Sequence, residues 1–186
     1  MDAGRSLFAR KGFDRVSAEE IVAAAKVTRG ALYHHFDGKD GLFAAVLSEM
    51  MSEVHARLAA ASSKAASPLE ALEIGIRSFL EACSEPACHR VLLVDGPAVL
   101  GWHAWRALDL RYGLGLLRQG LQAAVAARQI AIADVETTTQ VIGGALIDGA
   151  MLVGRNPHDE SIRRRVEAAL LQLLRGFSTA KGRRFL

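Results

Sequence analysis

The sequence has little cysteine, proline or aromatic residue, and each shortage excludes a class of protein. Two cysteines in 186 residues are too few for a disulfide scaffold, and because Cys83 and Cys88 form no Cys-x-x-Cys pair, a reducing intracellular setting is expected. Four prolines and 6% aromatic residues, with abundant alanine, favour helices over strands. A hydrophobic share of 51% is enough for a sizeable core, which excludes disorder as the dominant state.

No apolar run is long enough to cross a membrane. The best one, from Val141 to Gly154, is shorter than the roughly 20 residues that a bilayer requires, and it contains Asp148. The first residues carry charges where a signal peptide would have its apolar stretch. We therefore expect a soluble cytoplasmic protein with no membrane partner.

The positive charge of the chain is unevenly distributed. The net charge is +3, but the excess of lysine and arginine lies within the final segment, from residue 155 onward. Arg183 and Arg184 are interpreted there as a solvated basic tail. The charge is therefore compatible with binding to nucleic acid and does not establish it.

The first part of the chain contains short helices with good capping residues. A first helix is predicted from Asp2 to Lys11. Ser17 and Thr28 are the predicted N-caps of a second and a third helix, and Glu20 completes a capping box with Ser17. A long fourth helix begins at about Asp37. Three compact helices, of which the second and third are only a few residues apart, indicate a helix-turn-helix unit.

The rest of the sequence is also predicted to be helical. Apolar residues at helical spacing, with breaks at small residues and prolines, indicate helices over residues 69–83, 88–94, 102–128, 134–153 and 159–177. About nine helices and no strand are expected in all. The predicted fold is all-α, with a helix-turn-helix domain at residues 1–46 and a larger helical domain at residues 47–186.

A specific motif lies between Ser17 and Phe43. The sequence LYHHF at residues 32–36 is followed by Lys39, and the capped second helix precedes it. This pattern resembles the DNA-binding domain of TetR-type (TetR/AcrR) transcriptional regulators over about the first fifty residues. The resemblance implies a repressor that binds a palindromic double-stranded DNA operator as a homodimer. It also implies that the operator is released when a small-molecule effector binds the C-terminal domain.

The third predicted helix has the residue types that a DNA groove accommodates. Gly30 and Ala31 are small enough for close approach to base edges, and Arg29 offers paired donors to guanine or to a phosphate. Hydroxyl and imidazole groups nearby are suited to phosphates, as is the cation of Lys39 at the start of the next helix. The predicted DNA-binding residues are Ser17, Thr28, Arg29, Gly30, Ala31, Tyr33, His34, His35 and Lys39.

The family resemblance divides these roles further. It implies phosphate contacts at Ser17, Tyr33, His35 and Lys39, and base contacts at Arg29 and Gly30. Alternatively, the ring of Tyr33 packs on the protein and leaves its hydroxyl in solvent. Lys26 occupies a turn position where the family often has glycine, and a positive φ there would cost lysine roughly 1 kcal/mol.

Metal and cofactor sites are not expected. His34 and His35 are adjacent, and adjacent residues of a helix point about 100° apart. The other histidines have no spacing typical of metal ligands. A redox switch through Cys83 and Cys88 is an alternative, although no neighbouring group that would activate a thiolate is visible in the sequence.

The resemblance also implies an effector cavity among the middle helices. Asp148 is the most informative candidate, because it interrupts the apolar stripe 141-145-148-152 and an unpaired buried carboxylate is costly. It needs a partner across the dimer, within its own fold or on a ligand. Each other candidate is also interpretable as an ordinary core residue. The predicted lining residues are Met51, His55, Phe79, Cys83, His89, Leu92, Trp102, Trp105, Tyr112 and Asp148.

The last two helices are expected to form the dimer interface, again by resemblance. Part of their apolar surface alternatively packs inward, and the sequence does not separate the two uses. The fourth helix is the expected link between the cavity and the DNA-binding unit. The predicted interface residues are Val141, Ala145, Met151, Leu170, Leu171 and Leu174.

Two other classes of function compete with this interpretation. The first is a helical enzyme or small-molecule carrier, but the sequence has no nucleophile–base pair, glycine-rich phosphate loop or metal cluster, so an enzyme is not expected. The second is a regulator of the same fold that activates transcription or responds to a protein partner. DNA binding that weakens with salt would separate the regulator from the carrier.

Overall fold

The computed structural model describes residues 1–180 and 182 of the chain. Within that range the chain is helical and has no strand, which confirms the all-α prediction; Arg183 and Arg184 lie outside it. The described residues form eleven α-helices and one π-helix: α1 (Asp2–Lys11), α2 (Ala18–Ala25), α3 (Arg29–Phe36), α4 (Gly38–Ser62), α5 (Pro68–Ser84), α6 (Pro86–Cys88), the π-helix (His89–Asp95), α7 (Gly96–Leu100), α8 (Trp102–Arg111), α9 (Gly113–Ala126), α10 (Val135–Arg155) and α11 (Glu160–Arg175).

The first three helices and the start of α4 enclose an aromatic core. The ring centroid of Phe43 lies 5.2 Å from that of Phe8 and 5.1 Å from that of Phe13, in edge-to-face arrangements that aromatic pairs prefer. Leu32 buries its side chain against this core and thereby fixes the inner side of α3. The opposite side of α3 is left on the surface.

The predicted N-caps are confirmed. The Ser17 hydroxyl accepts a hydrogen bond from the Glu20 N–H at 3.1 Å, and the Thr28 hydroxyl accepts one from the Ala31 N–H at 3.2 Å. In a full capping box the Glu20 carboxylate would also accept from the Ser17 backbone N–H. Here that carboxylate pairs with Lys11 instead. Lys26 has φ 54° in the left-handed region, so the turn between α2 and α3 does impose the strain expected of a non-glycine residue.

The helix α4 joins the helix-turn-helix unit, formed by α1 to α3, to the larger helical layer, formed by α5 to α11 and the π-helix. It runs without interruption across the predicted domain boundary at residue 46. Its N-terminal part packs on α1 and α3, and its remaining length packs on α5. The helices α9, α10 and α11 lie against α5 in turn. The helix α4 is therefore a continuous connection between the two parts of the chain.

The helix count differs from the prediction at two places. The long helix expected over residues 102–128 is interrupted at Tyr112, whose φ and ψ of −106° and −82° are not helical. The segment around Asp95 and Pro97, expected to be a break, stays helical as a π-helix followed by α7. Pro97 is tolerated because it lies in the first turn of α7, where a backbone N–H is not needed.

In the described residues, no helix combines the length and the apolar character needed to cross a membrane.

Candidate DNA interface and effector cavity

The helix α3 presents a small exposed surface at its N-terminal end. Arg29 and Gly30 are exposed, and so are Tyr33, His34 and His35. A Cβ added at Gly30 would meet only the Thr28 hydroxyl, at 3.8 Å. Packing within the chain therefore does not require a glycine here, although glycine costs about 1 kcal/mol relative to alanine inside a helix. The absence of a side chain at Gly30 leaves space at the surface of α3 for close approach of another molecule.

Arg29 is held at this surface by a residue that the sequence did not single out. Its Nη1 donates to Glu19 Oε1 at 3.0 Å, and its guanidinium lies 5.5 Å from the centroid of the Tyr33 ring. The pKa of Glu19 is below its ordinary value because its own backbone N–H and then the charge of Arg29 stabilise the carboxylate. Glu19 thus orients Arg29 between α2 and α3.

The ring of Tyr33 packs on the protein, as one of the two interpretations of this residue predicts. Its ring lies against Gly38, where a Cβ would come within 3.1 Å of the ring, and 48% of the side chain is exposed. Gly38 also has φ +88°, a conformation that favours glycine. The ring is therefore packed while the hydroxyl stays available at the edge of α3.

Lys39 is tied to the loop after α1. Its Nζ donates to the Phe13 carbonyl at 3.2 Å and lies 3.8 Å from the centroid of the Phe13 ring. The Phe13 N–H in turn donates to Asp95 Oδ2 at 2.9 Å. Asp95 ends the π-helix of the larger layer, so Phe13 joins Lys39 to that layer.

A cavity of about 150 Å³ lies in the larger layer. It is bounded by α4, α5, α8, α9 and α10. Its walls are almost entirely apolar, and glycines from α5, α9 and α10 contribute to them. The lining residues are Leu58, Ser62, Ala71, Leu72, Gly75, Ile76, Phe79, Asp109, Gly113, Leu114, Leu116, Leu117, Gln119, Gly120, Gly143, Leu146 and Ile147.

Asp109 is the charged residue of this lining. Arg106 Nη1 donates to Asp109 Oδ2 at 2.6 Å, and Arg106 Nη2 donates to Gln140 at 2.8 Å. Burial raises the pKa of Asp109 above its ordinary value, and the charge and hydrogen bond of Arg106 oppose that rise. The carboxylate is thus partly desolvated and faces an apolar space.

Most of the predicted effector-pocket residues do not line this cavity. Phe79 lines the cavity, whereas Met51, Cys83, Leu92 and Trp105 are buried in the core. Apolar side chains are suited both to a ligand pocket and to a protein core, and these four pack in the core.

The polar and exposed members of the predicted pocket are also separate from this cavity. His55 Nδ1 lies 3.0 Å from the Tyr112 carbonyl oxygen, within hydrogen-bond distance. The ring of His89 packs on Gly154, where a Cβ would overlap it. Trp102 is 56% exposed. Asp148 is exposed on α10 within a single chain, so it needs no partner inside its own fold, and a partner across the dimer stays a prediction.

The two cysteines are unsuited to a redox switch. Both thiols are buried. Burial is the main cause that raises the pKa of Cys83 well above its ordinary value, and it raises that of Cys88 to about 11. Because the thiolate is the reactive form, this environment disfavours oxidation.

Three of the six predicted dimer residues are buried within a single chain. Leu170, Leu171 and Leu174 are buried within a single chain, with exposures of 7%, 6% and 1%. They pack inward because this face of α11 lies against α5 and α10. The exposed apolar side chains of these two helices are Val141, Leu152 and Leu173, at 63%, 48% and 41%. Ala145 and Met151 are partly buried.

No group of three or more side chains able to hold a metal ion occurs in the part of the chain that the structure describes. The rings of His34 and His35 lie edge to face with centroids 5.1 Å apart.

Two family models match the chain. The model described as bacterial regulatory proteins, tetR family, matches residues 1–46. The model described as tetracyclin repressor-like, C-terminal domain, matches residues 69–177, which is more than half of the chain.

Individual proteins are similar over different shares of their length. A TetR-family transcriptional regulator from Pectobacterium atrosepticum has a solved structure that is 30% identical, with a TM-score of 0.82, over 96% of this chain and 91% of that one. The A-factor receptor protein of Streptomyces griseus is 33% identical over 56% of this chain but only 37% of its own length. The Tn10 TetC protein of Escherichia coli is 24% identical over 77% of this chain and 73% of its own.

Proposed function

Because the chain belongs to the tetR family of bacterial regulatory proteins, we propose that it is a ligand-responsive repressor of transcription. In this proposal α3 enters the major groove of a palindromic operator, and a small molecule in the larger layer releases it. The observation that carries the proposal is the exposed N-terminal end of α3. There Gly30 leaves open space beside Arg29, and no neighbour among the described residues requires a glycine at this position.

The residues around α3 are assigned two kinds of DNA contact. Arg29 and Gly30 face base edges, with Ala31 next to them. Hydroxyl, imidazole and ammonium groups contact phosphates and fix the register of the helix on the duplex. Glu19 must release or share Arg29 when DNA binds, since their side chains are paired in the free chain. The phosphate-contacting residues are Ser17, Thr28, Tyr33, His34, His35 and Lys39.

A homodimer supplies the second recognition helix. One helix on a short half-site binds weakly, and a two-fold dimer places two such helices about 34 Å apart on successive major grooves. We assign the interface to the exposed side of α10 and α11, which carries Val141, Leu152 and Leu173. Ala145 and Met151 border it, and Asp148 lies within it.

Two connections link the cavity to the DNA-binding unit. The first is α4, which lines the cavity with Leu58 and carries Lys39 in its first turn. The second runs through the π-helix: Trp105 Nε1 of α8 donates to the Leu92 carbonyl at 2.8 Å, and Asp95 accepts from Phe13. A ligand that displaces α8 or α4 therefore changes the orientation of α3. Such coupling is typically about 1–3 kcal/mol.

The proposal is tested by binding to duplex DNA at several salt concentrations. Affinity should fall steeply as salt rises, because phosphate contacts release counterions. A carrier or an enzyme with structural N-terminal helices would bind no DNA, or would bind with no dependence on salt. We propose that the chain is not an enzyme and acts in the cytoplasm, where its operator is accessible.

A further inference from the structure

The cavity described above is partly open to solvent, and its interior accommodates only a small apolar group. Its volume of about 150 Å³ matches that of an engineered cavity in another protein that binds benzene. Leucine, isoleucine and phenylalanine dominate the walls. A ligand that fills this space has an apolar body about as large as one benzene ring with small substituents.

Gly75 keeps part of this space open. It lies inside α5, where glycine is less favourable than alanine. A Cβ added there would meet nothing closer than the Ser62 hydroxyl, at 3.6 Å. By contrast, a Cβ at Gly120 or Gly143 would overlap a leucine side chain. Packing thus explains those two glycines, whereas the missing side chain of Gly75 enlarges the cavity.

The polar groups of the lining select the charge of the ligand. The lining includes one carboxylate, that of Asp109, and no lysine, arginine or histidine. A carboxylate or phosphate ligand would find no unpaired cation in the lining, since the adjoining Arg106 is already paired with Asp109 at 2.6 Å and donates to Gln140. For the same reason, a cationic ligand is not needed to balance the charge of Asp109. A neutral ligand fits these charges best.

Asp109 also has room for one hydrogen bond from a ligand. Arg106 donates to Oδ2, while Oδ1 accepts no hydrogen bond from any residue that the structure describes. The Ser62 hydroxyl already donates to the Ala71 carbonyl at 3.1 Å. Because a carboxylate oxygen only accepts, its partner must be a donor such as a hydroxyl group.

From this we infer that the cavity binds a neutral molecule with an apolar body of one ring or similar size and a hydroxyl group that donates to Asp109. The binding of this molecule to the cavity does not depend on the proposed function. Only its identification as the effector rests on that function. The inference assigns a chemical class to the ligand and predicts that anions bind more weakly than neutral molecules of the same size.

Calorimetric titration of the whole chain at pH 7 tests the ligand class with three probes of similar size. They are 4-methylphenol, toluene and 4-methylbenzoate; the phenol is neutral at this pH because phenolic groups titrate near pH 10. We expect 4-methylphenol to bind at least tenfold more tightly than toluene, and 4-methylbenzoate not to bind measurably. Binding of 4-methylbenzoate as tight as that of 4-methylphenol overturns the inference, and so does the absence of binding by all three.

Two substitutions locate the binding. Gly75→Val should weaken 4-methylphenol binding at least tenfold by filling the cavity, whereas Glu81→Val, which places the same side chain on the exposed side of α5, should leave it unchanged. Circular dichroism reports whether each variant is folded, and Gly75→Ala serves if Gly75→Val is not. Asp109→Leu, which has a similar shape and no acceptor atom, should remove most of the preference for 4-methylphenol over toluene. Unchanged affinity in folded Gly75 variants, or an unchanged preference in folded Asp109→Leu, would place the ligand elsewhere and overturn the inference.

Binding to DNA without any ligand separates this inference from the proposed function. If the chain binds duplex DNA and 4-methylphenol does not bind, the ligand class is wrong and the regulator stands. If 4-methylphenol binds as expected and DNA does not, the cavity inference stands and the regulator is wrong.

Discussion

The carboxylate of Asp95 accepts a hydrogen bond from the backbone N–H of Phe13 at 2.9 Å, across 82 residues of sequence. Asp95 ends the π-helix of the larger layer, and Phe13 lies in the loop between α1 and α2. Lys39 holds the same residue from the other side, through its carbonyl and its ring. The DNA-binding unit is therefore fastened to the larger layer at the residue that also positions the start of α4.

Removal of the Asp95 carboxylate should weaken this fastening. Asp95→Ala leaves the Phe13 N–H without its acceptor, and we expect the free energy of unfolding to fall by about 1–3 kcal/mol, as for other hydrogen bonds to charged groups. Denaturant unfolding measures this loss. Asp14→Ala, at an exposed aspartate one residue beyond Phe13, is the matched control, and equal losses in the two variants would contradict the structural role of Asp95.

Substitution of Gly30 should affect stability and DNA binding in opposite directions. Gly30→Ala removes an unfavourable glycine from α3 and meets no steric obstacle in the chain, so the free energy of unfolding should rise by up to about 1 kcal/mol. The added methyl group lies where α3 approaches the bases, so affinity for a selected duplex should fall at least tenfold. Thermal unfolding and gel shift measure the two effects. Undiminished DNA binding by Gly30→Ala would show that this position does not face the groove.

A charge on the exposed side of α10 and α11 should dissociate the dimer. Val141→Glu and Leu173→Glu each place a carboxylate where a second copy is proposed to pack, and burial of an unpaired charge is costly. Light scattering after gel filtration should give the mass of a monomer for both variants and that of a dimer for the unmodified chain. Val94→Glu, at an exposed valine of the π-helix, should remain dimeric. If both interface variants also stay dimeric, the interface lies elsewhere.

The stability of the fold should depend on pH through His89. Burial lowers the pKa of His89, and the nearby charges of Arg155 and Arg90 lower it further. The unfolded chain therefore takes up a proton near the ordinary histidine pKa of about 6.5 before the folded chain does. Stability is then complete above that pH and is lost as the pH falls below it.

This loss is measured by unfolding experiments between pH 7.5 and 5.5. His89→Gln cannot titrate, so its stability should change less over this range than that of the unmodified chain. His103→Gln, at an exposed histidine of α8, controls for the removal of any histidine. A pH dependence that is the same in all three proteins would exclude His89 as its source.

Local signals in the sequence predicted the DNA-binding unit well. The caps at Ser17 and Thr28 involve residues three positions apart, so their geometry follows from a few side chains and a helix start. The strain at Lys26 was likewise predictable, because the turn allows few backbone conformations. In the motif at residues 32–36, Leu32 is buried and Phe36 is partly buried on one side of α3, whereas the three residues between them are exposed.

The cavity and the interface could not be predicted in the same way. Gly75 and Asp109 lie on different helices, and both line the cavity only because α5 and α8 each pack on α4 and α9. In α11 both faces carry leucines, so the sequence alone does not tell whether Leu171 or Leu173 faces inward. Glycines offered a partial signal, since a glycine inside an amphipathic helix such as α5 often has a packing or functional reason.

The central claim is that two copies of the exposed end of α3 read a two-fold symmetric duplex, and selection of bound DNA from a random pool tests it most directly. The account predicts a palindromic consensus whose half-sites are about one helical turn apart, and a loss of base preference in the pool selected by Arg29→Ala. A pool that yields no consensus, or the same consensus with Arg29→Ala as with the unmodified chain, would contradict it.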